Sequence, residues 1–250
     1  MNDTTGVSVA GSVALVTGAN RGIGAAFVQE LLAAGAQRVY AAARNPRSLL
    51  ELAQQDSRIM PVQLDITDEE SVRIAVQRLS DVNLLVNNAG VSLNTRVIAA
   101  DALDGARAEM EVNYFGLLRM SRAFAPVLAT NGGGALINVL SILSRVASPI
   151  HGSYSASKAA AFSLTQSLRA ELRSQGTLVV GVLPAYVETD MTDGIAGPKM
   201  QAADVARAAL DALHSGQEEV YPGEVAAQVA AWLQQDPQAV ERNFAQSVAS

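Results

Sequence analysis

Short apolar runs alternate with amphipathic stretches along most of the sequence. Val13-Ala14-Leu15-Val16, Arg38 to Ala43, Ile59 to Leu64, Leu84-Leu85-Val86, Ala135 to Leu140 and Leu178 to Leu183 are brief and rich in Val, Ile, Leu and Ala. Runs this short and continuous are strands buried on both faces, as in parallel sheets. Glu218 to Gly223 offers a seventh, weaker strand. Between them the apolar positions fall at helical spacing: Phe27, Leu31 and Leu32; Val72, Val76 and Leu79; Met110, Val112, Phe115, Leu117, Leu118 and Phe124; then the run from Ala159 to Arg173. Breaks stand where helices should begin and end, with Gly35 as a stop, Asn45-Pro46 as a cap, Thr67 to Glu70 as an acidic start and Asn131 to Gly134 as a terminator. Strand and helix alternating at this rhythm predict an α/β fold, a doubly wound parallel sheet of about seven strands in a single domain over residues 11–250. Residues 1–10, small and polar, read as a disordered lead-in.

Ligands in such sheets bind beyond the carboxyl ends of the strands. The first strand runs directly into Thr17-Gly18-Ala19-Asn20-Arg21-Gly22-Ile23-Gly24, and a helical pattern follows. Glycines there let backbone approach a pyrophosphate, and the helix start offers free N–H groups. The spacing is Gly-x3-Gly-x-Gly, not the Gly-x-Gly-x2-Gly of other dinucleotide folds. At the end of the second strand, where an acid would hold a ribose 2′-hydroxyl, Ala43 is followed by Arg44. With Arg21 inside the glycine turn, two guanidiniums are available to clamp a 2′-phosphate, which predicts NADP(H) over NAD(H). Asp65 and the stretch Asn87-Asn88-Ala89-Gly90 fall at the same edge.

Tyr154-Ser155-Ala156-Ser157-Lys158 opens the long helical run. Residues four apart share a helix face, and an ammonium beside a phenol favours the phenolate, which predicts a lowered Tyr154 pKa and a proton donor and acceptor at neutral pH. Asn113 is a polar residue in an apolar helix spanning Ala100 to Leu128, and Ser141 stands at the tip of the fifth strand, with Ser144 as its competitor.

The net charge of −6 argues against a nucleic-acid surface, and no apolar run is long enough to span a bilayer. Absence of Cys excludes disulfides and thiol chemistry and is compatible with the cytoplasm, and two distant histidines, His151 and His214, make a zinc site improbable.

Together these motifs resemble the short-chain dehydrogenase/reductase family, a Rossmann-type fold, over roughly Gly11 to Met191. The resemblance rests on the glycine turn, Asp65, Asn87 to Gly90, Asn113, Ser141, Tyr154-x3-Lys158, and Pro184 with Val187 and Thr189. It implies a carbonyl-reductase-like enzyme that uses NADP(H), transfers the pro-S hydride and interconverts ketone or aldehyde with alcohol. It implies Tyr154 as acid or base, Ser141 as the group that steadies the carbonyl oxygen, Lys158 on the nicotinamide ribose, and Asn113 in a proton relay. Gly18, Asn20, Arg21, Gly22, Ile23 and Gly24 would meet the cofactor, as would Arg44, Asp65 with its neighbour Ile66, and Asn88, Ala89 and Gly90. Pro184, Val187 and Thr189 would lie at the nicotinamide.

The sequence departs from the family in three places. Ala185 follows Pro184 where Gly is usual, the lid between Asp190 and Met200 is short, and the common Val-Asp-Gly-Gly ending is absent. The expected substrate pocket is Ile142, Leu143, His151, Tyr186, Met191 and Met200, an apolar lining suited to hydrophobic ketones or aldehydes accepted over a broad range. The expected partners are a small carbonyl or alcohol, no nucleic acid, no membrane, and further copies of the chain as a homodimer or homotetramer. A non-catalytic NADP(H) sensor and an isomerase or dehydratase on the same fold are the alternatives.

Overall fold

The structure, a computed structural model, describes residues 6–93, 96–98 and 102–246. Seven strands form one parallel sheet: β1 (Val13–Thr17), β2 (Arg38–Ala43), β3 (Ile59–Gln63), β4 (Leu84–Asn87), β5 (Ala135–Val139), β6 (Leu178–Val182) and β7 (Glu219–Val220). Their order across the sheet is β3-β2-β1-β4-β5-β6-β7, and every pairing is parallel. Chain order reverses between β1 and β4, which opens a crevice at their carboxyl ends.

Period-two alternation divides the core between the two faces. Ala14 and Val16 of β1 face one cluster, and Val13 and Leu15 face the other. The first face is covered by α1 (Gly22–Ala33), α2 (Leu50–Gln55) and α7 (Ala202–Ser215). The second carries α3 (Glu69–Arg78), α4 (Ala102–Met110), α5 (Leu117–Thr130) and α6 (Gly152–Leu172). Two last helices, α8 (Gly223–Gln235) and α9 (Pro237–Ala245), make a third, smaller cluster with the loop after β5, in which Ile142 and Val146 pack on Val229 and Val240. No helix among the described residues is long and apolar enough to cross a membrane.

Two expected boundaries differ. The helix expected from Ala100 to Leu128 is broken into α4 and α5 by a wide π-helical segment, Glu111–Gly116, and its first two residues lie outside the described ones. Such a bulge repositions side chains locally, and Asn113 sits within it. The lead-in is also shorter than expected. The Val7 N–H donates to the Leu213 carbonyl at 2.9 Å, and Val9 is buried in the first core. Two valines with apolar surface to cover are enough to dock the segment, whereas residues 1–5 lie outside the described ones.

Candidate active site

The carboxyl ends of the strands border one continuous cleft of about 640 Å³. Its floor is the glycine turn. Gly18 has φ of +62°, and an added Cβ would stand 3.0 Å from the Ala89 Cα, so only glycine closes the turn against β4. The turn is tied down from below. Asn88 Nδ2 donates to the Thr17 and Gly18 carbonyls at 2.9 and 3.2 Å, while Thr17 Oγ1 accepts from the Asn88 and Ala89 N–H groups at 3.0 and 3.1 Å. No side chain caps the start of α1 at Arg21, so its first N–H groups remain available to an anion. A bare turn under a free helix start is the cradle a dinucleotide pyrophosphate needs, and the residues fit that cofactor.

Asn20, Arg21, Gly22 and Ile23 line the cleft, as do Asp65, Ile66, Asn88, Ala89 and Gly90, and on the far side Pro184, Val187 and Thr189. Gly24 does not line it. Its absent Cβ would lie 2.1 Å from the Gly18 carbonyl oxygen, so its role is to let α1 pass close beneath the turn. Arg44 lines the adenosine end beside Asp65. Burial opposes the Asp65 charge, but the Thr67 hydroxyl and N–H, which donate at 2.7 and 2.9 Å, and the Arg44 guanidinium hold its carboxyl below the usual value. Arg21 also lines the cleft, and its Nη1 pairs with Asp190 Oδ2 at 2.6 Å, both side chains being exposed.

At the centre, the first turns of α6 present Tyr154 and Lys158 on one face, with Lys158 Nζ 5.8 Å from the Tyr154 ring centroid. Ser141, just past the tip of β5, lines the cleft with Tyr154 and accepts from the Leu143 N–H at 3.1 Å. Both serines are buried, but Ser141 lines the cleft and Ser144 does not. Lys158 is buried and donates to the Val139 carbonyl at 2.9 Å. Asn113 stands behind this group and not in the cleft wall. Its Nδ2 donates to the Val91 carbonyl and to Ser157 Oγ, both at 2.9 Å, and its Oδ1 accepts from the Val91 N–H at 2.9 Å. An added Cβ on Gly90 would meet Asn113 Oδ1 at 3.1 Å and Lys158 Nζ at 3.4 Å, so that glycine keeps open the space both atoms face.

The proton affinities correct the expectation for Tyr154. Its pKa is pushed up to about 12, by burial first, against the Ser141 hydroxyl, with the Glu109 carboxylate adding to the rise. Burial alone pulls Lys158 down to about 8. Desolvation is the largest cause for both groups, and the phenol keeps its proton at neutral pH.

Ile142, Leu143, His151, Tyr186 and Met191 also line the cleft. Met200 does not: it packs against the first core, and its backbone pairs with Val187. Residues the sequence reading missed include Val225 and Val229 from α8 and Phe244 from α9, which form the outer wall. Nothing in the sequence placed that segment on the cleft. Glu109 was missed too. It is fully buried, accepts from the Leu93 N–H at 2.7 Å and the Ser153 hydroxyl at 2.5 Å, and so ties the loop after β4 to the start of α6.

A glycine turn under a free helix start, with a Ser, Tyr and Lys set at the centre of the same cleft, defines a dinucleotide-dependent oxidoreductase. The sequence profile described as short chain dehydrogenase matches residues 12–199, and the chain belongs to that family, whose members use nicotinamide cofactors. A short-chain dehydrogenase from Burkholderia cenocepacia, solved with NADP, is 46% identical, with a TM-score of 0.90 over 95% of this chain and 98% of that one. One from Sphingobium yanoikuyae, solved with NADPH, is 26% identical, with a TM-score of 0.79 over 92% of this chain and 94% of that one. A 3-oxoacyl-[acyl-carrier-protein] reductase of Synechocystis is 30% identical over 204 residues, 78% of this chain and 82% of that protein.

Proposed function

We propose that this protein reduces a hydrophobic ketone or aldehyde to its alcohol with NADPH, and runs the reverse reaction with NADP. One arrangement carries the reading: Ser141, Tyr154 and Lys158 border a single cleft together with the glycine turn and a largely apolar wall. When bound, the nicotinamide supplies hydride to the carbonyl carbon. Tyr154 donates its proton to the carbonyl oxygen, and Ser141 steadies the charge developing there. Lys158, held by the Val139 carbonyl, places a cation beside the phenol as that proton leaves. Asn113 fixes the position of the Tyr154 helix through Ser157 and of the loop after β4 through Val91.

Preference for NADP(H) is supported by Arg44 at the adenosine end, with Ala43 where an acid would repel a 2′-phosphate, and by the two relatives solved with that cofactor. Ser48 and Asn45 line the same corner and add hydroxyl and amide groups. Arg21 enters the clamp only by giving up Asp190. The broad substrate range follows from a wall of Leu143, Ala185, Val229 and Phe244 that carries no charge. Assembly as a homodimer or homotetramer is part of the proposal; Leu103 and Phe115 are exposed on the α4–α5 face.

Absorbance loss of NADPH, and separately of NADH, across aryl ketones, diketones, aldehydes and keto esters tests the reading. Turnover with NADPH far faster than with NADH is expected. Turnover with NADH alone overturns the cofactor assignment, and none with either overturns the reductase.

A further inference from the structure

Asn113 has a counterpart one turn earlier on the same helical run. Asn113 Oδ1 accepts from the Val91 N–H, and its Nδ2 donates to the Val91 carbonyl and to Ser157 Oγ. Glu109, four residues before it near the end of α4, repeats the pattern. Its Oε1 accepts from the Leu93 N–H at 2.7 Å and its Oε2 from the Ser153 hydroxyl at 2.5 Å. Each side chain therefore joins the same two partners, the loop after β4 and α6. The spacings agree: Val91 and Leu93 are two apart in the loop, and Ser153 and Ser157 are four apart on one face of α6. Two rungs, one through Asn113 and one through Glu109, hold the three segments together.

Each rung grips the residue just ahead of a reacting side chain. Ser157 precedes Lys158, and Ser153 precedes Tyr154. The Glu109 rung is closed to solvent: Glu109 is fully buried and Ser153 is 4% exposed. A buried carboxylate costs stability unless donors meet it, and an apolar side chain would fill a packing position at less cost. Two donors drawn from two different segments give this carboxylate a use that packing does not. With both bonds made, the first turn of α6 cannot rotate or slide against the loop after β4 without breaking one of them. Rotation there would carry the Tyr154 hydroxyl away from Ser141 and from the carbonyl oxygen it serves.

We propose that Glu109 is a positioning residue for the reduction, fixing the first turn of α6, and with it the Tyr154 hydroxyl, against the loop after β4. It acts through Ser153 and Leu93 and touches neither substrate nor cofactor. The proposal rests on the carbonyl-reductase reading, in which Tyr154 delivers the proton.

kcat and KM are measured with NADPH and the compound the wild type reduces fastest among acetophenone, benzaldehyde, 2,3-butanedione and ethyl acetoacetate. Glu109→Leu removes both bonds. It is expected to lower kcat about 10- to 100-fold, the effect of displacing a reacting group by about 1 Å, with both KM values within about threefold of wild type. Glu109→Gln keeps the rung, its carbonyl accepting from the Leu93 N–H and its amide donating to a turned Ser153 hydroxyl, and is expected to hold kcat within about threefold. Ser153→Ala cuts the α6 end alone and is expected to cost about threefold to tenfold in kcat, with no further cost in the Glu109→Leu background. A folded Glu109→Leu enzyme with wild-type kcat, a loss confined to KM, a Gln variant as slow as the Leu variant, or additive costs in the double variant each overturns the positioning role alone. If Glu109→Leu does not fold, Ser153→Ala decides: lowered kcat at unchanged KM supports the role, and unchanged kcat overturns it. A wild type that oxidises NADPH with none of the four compounds overturns the reductase reading, and the positioning role falls with it.

Discussion

Replacing Lys158 with methionine removes a charge that the fold holds at a cost. The side chain is 5% exposed and makes one bond, Nζ to the Val139 carbonyl at 2.9 Å. Burial lowers its pKa from 10.5 to about 8. The unfolded chain keeps the proton up to the ordinary lysine value, whereas the folded chain releases it near pH 8. Between those values the unfolded state binds more protons, so stability rises with pH across that window, and below it the full penalty applies. The gap corresponds to roughly 3 kcal/mol at pH 7. Methionine, apolar and of similar reach, removes the penalty and forfeits one hydrogen bond worth about 1 kcal/mol. Lys158→Met is therefore expected to raise the unfolding free energy of the cofactor-free protein by about 2 kcal/mol at pH 7, with the gain gone by pH 10. Urea unfolding at both pH values, at one protein concentration and ionic strength, measures this. A variant no more stable than wild type at pH 7, or equally stabilised at pH 10, refutes the reasoning. Turnover should fall sharply in the same variant, since the charge beside Tyr154 serves the reaction and not the fold.

Tyr154→Phe should lose about 10² to 10⁴-fold in kcat while its cofactor affinity, read by fluorescence titration with NADPH, stays near wild type, because the proton donor is lost and the cradle is not. Gly24→Ala places a Cβ 2.1 Å from the Gly18 carbonyl oxygen, and thermal unfolding should report a loss of about 1–3 kcal/mol together with weaker NADPH binding as the turn is pushed out of place. Arg44→Ala should weaken NADPH binding by about tenfold at low salt and less at high salt, leaving NADH binding unchanged; equal effects on the two cofactors would remove Arg44 from the 2′-phosphate site.

The sheet was legible because its inner strands are buried on both faces and read as short apolar runs; β1, β2, β5 and β6 lie where those runs stand. The cofactor end was legible because a backbone site depends on glycines, and glycines are visible in a sequence. What failed depended on distance. The Tyr154 pKa is decided by how deeply α6 packs, and a spacing of four residues carries no information about burial. Met200 packs against the core beside a backbone bridge to Val187, a pairing that no local pattern announces. Val225, Val229 and Phe244 reach the cleft because α8 and α9 pack on the loop after β5 in the third cluster, a long-range contact that no local pattern announces.

The docked segment around Val7 and Val9 has a practical side. It lies at the amino ends of the strands, where Gly11 bonds Gly35 and Val7 bonds Leu213, across the sheet from the cleft. The other extremity of the described chain, α9, is itself cleft wall through Phe244. An affinity handle or surface linker joined ahead of residue 6 therefore leaves the pocket facing outward into the medium, whereas one appended after α9 emerges beside the entrance. Immobilised preparations, fusions and labels belong on the first side.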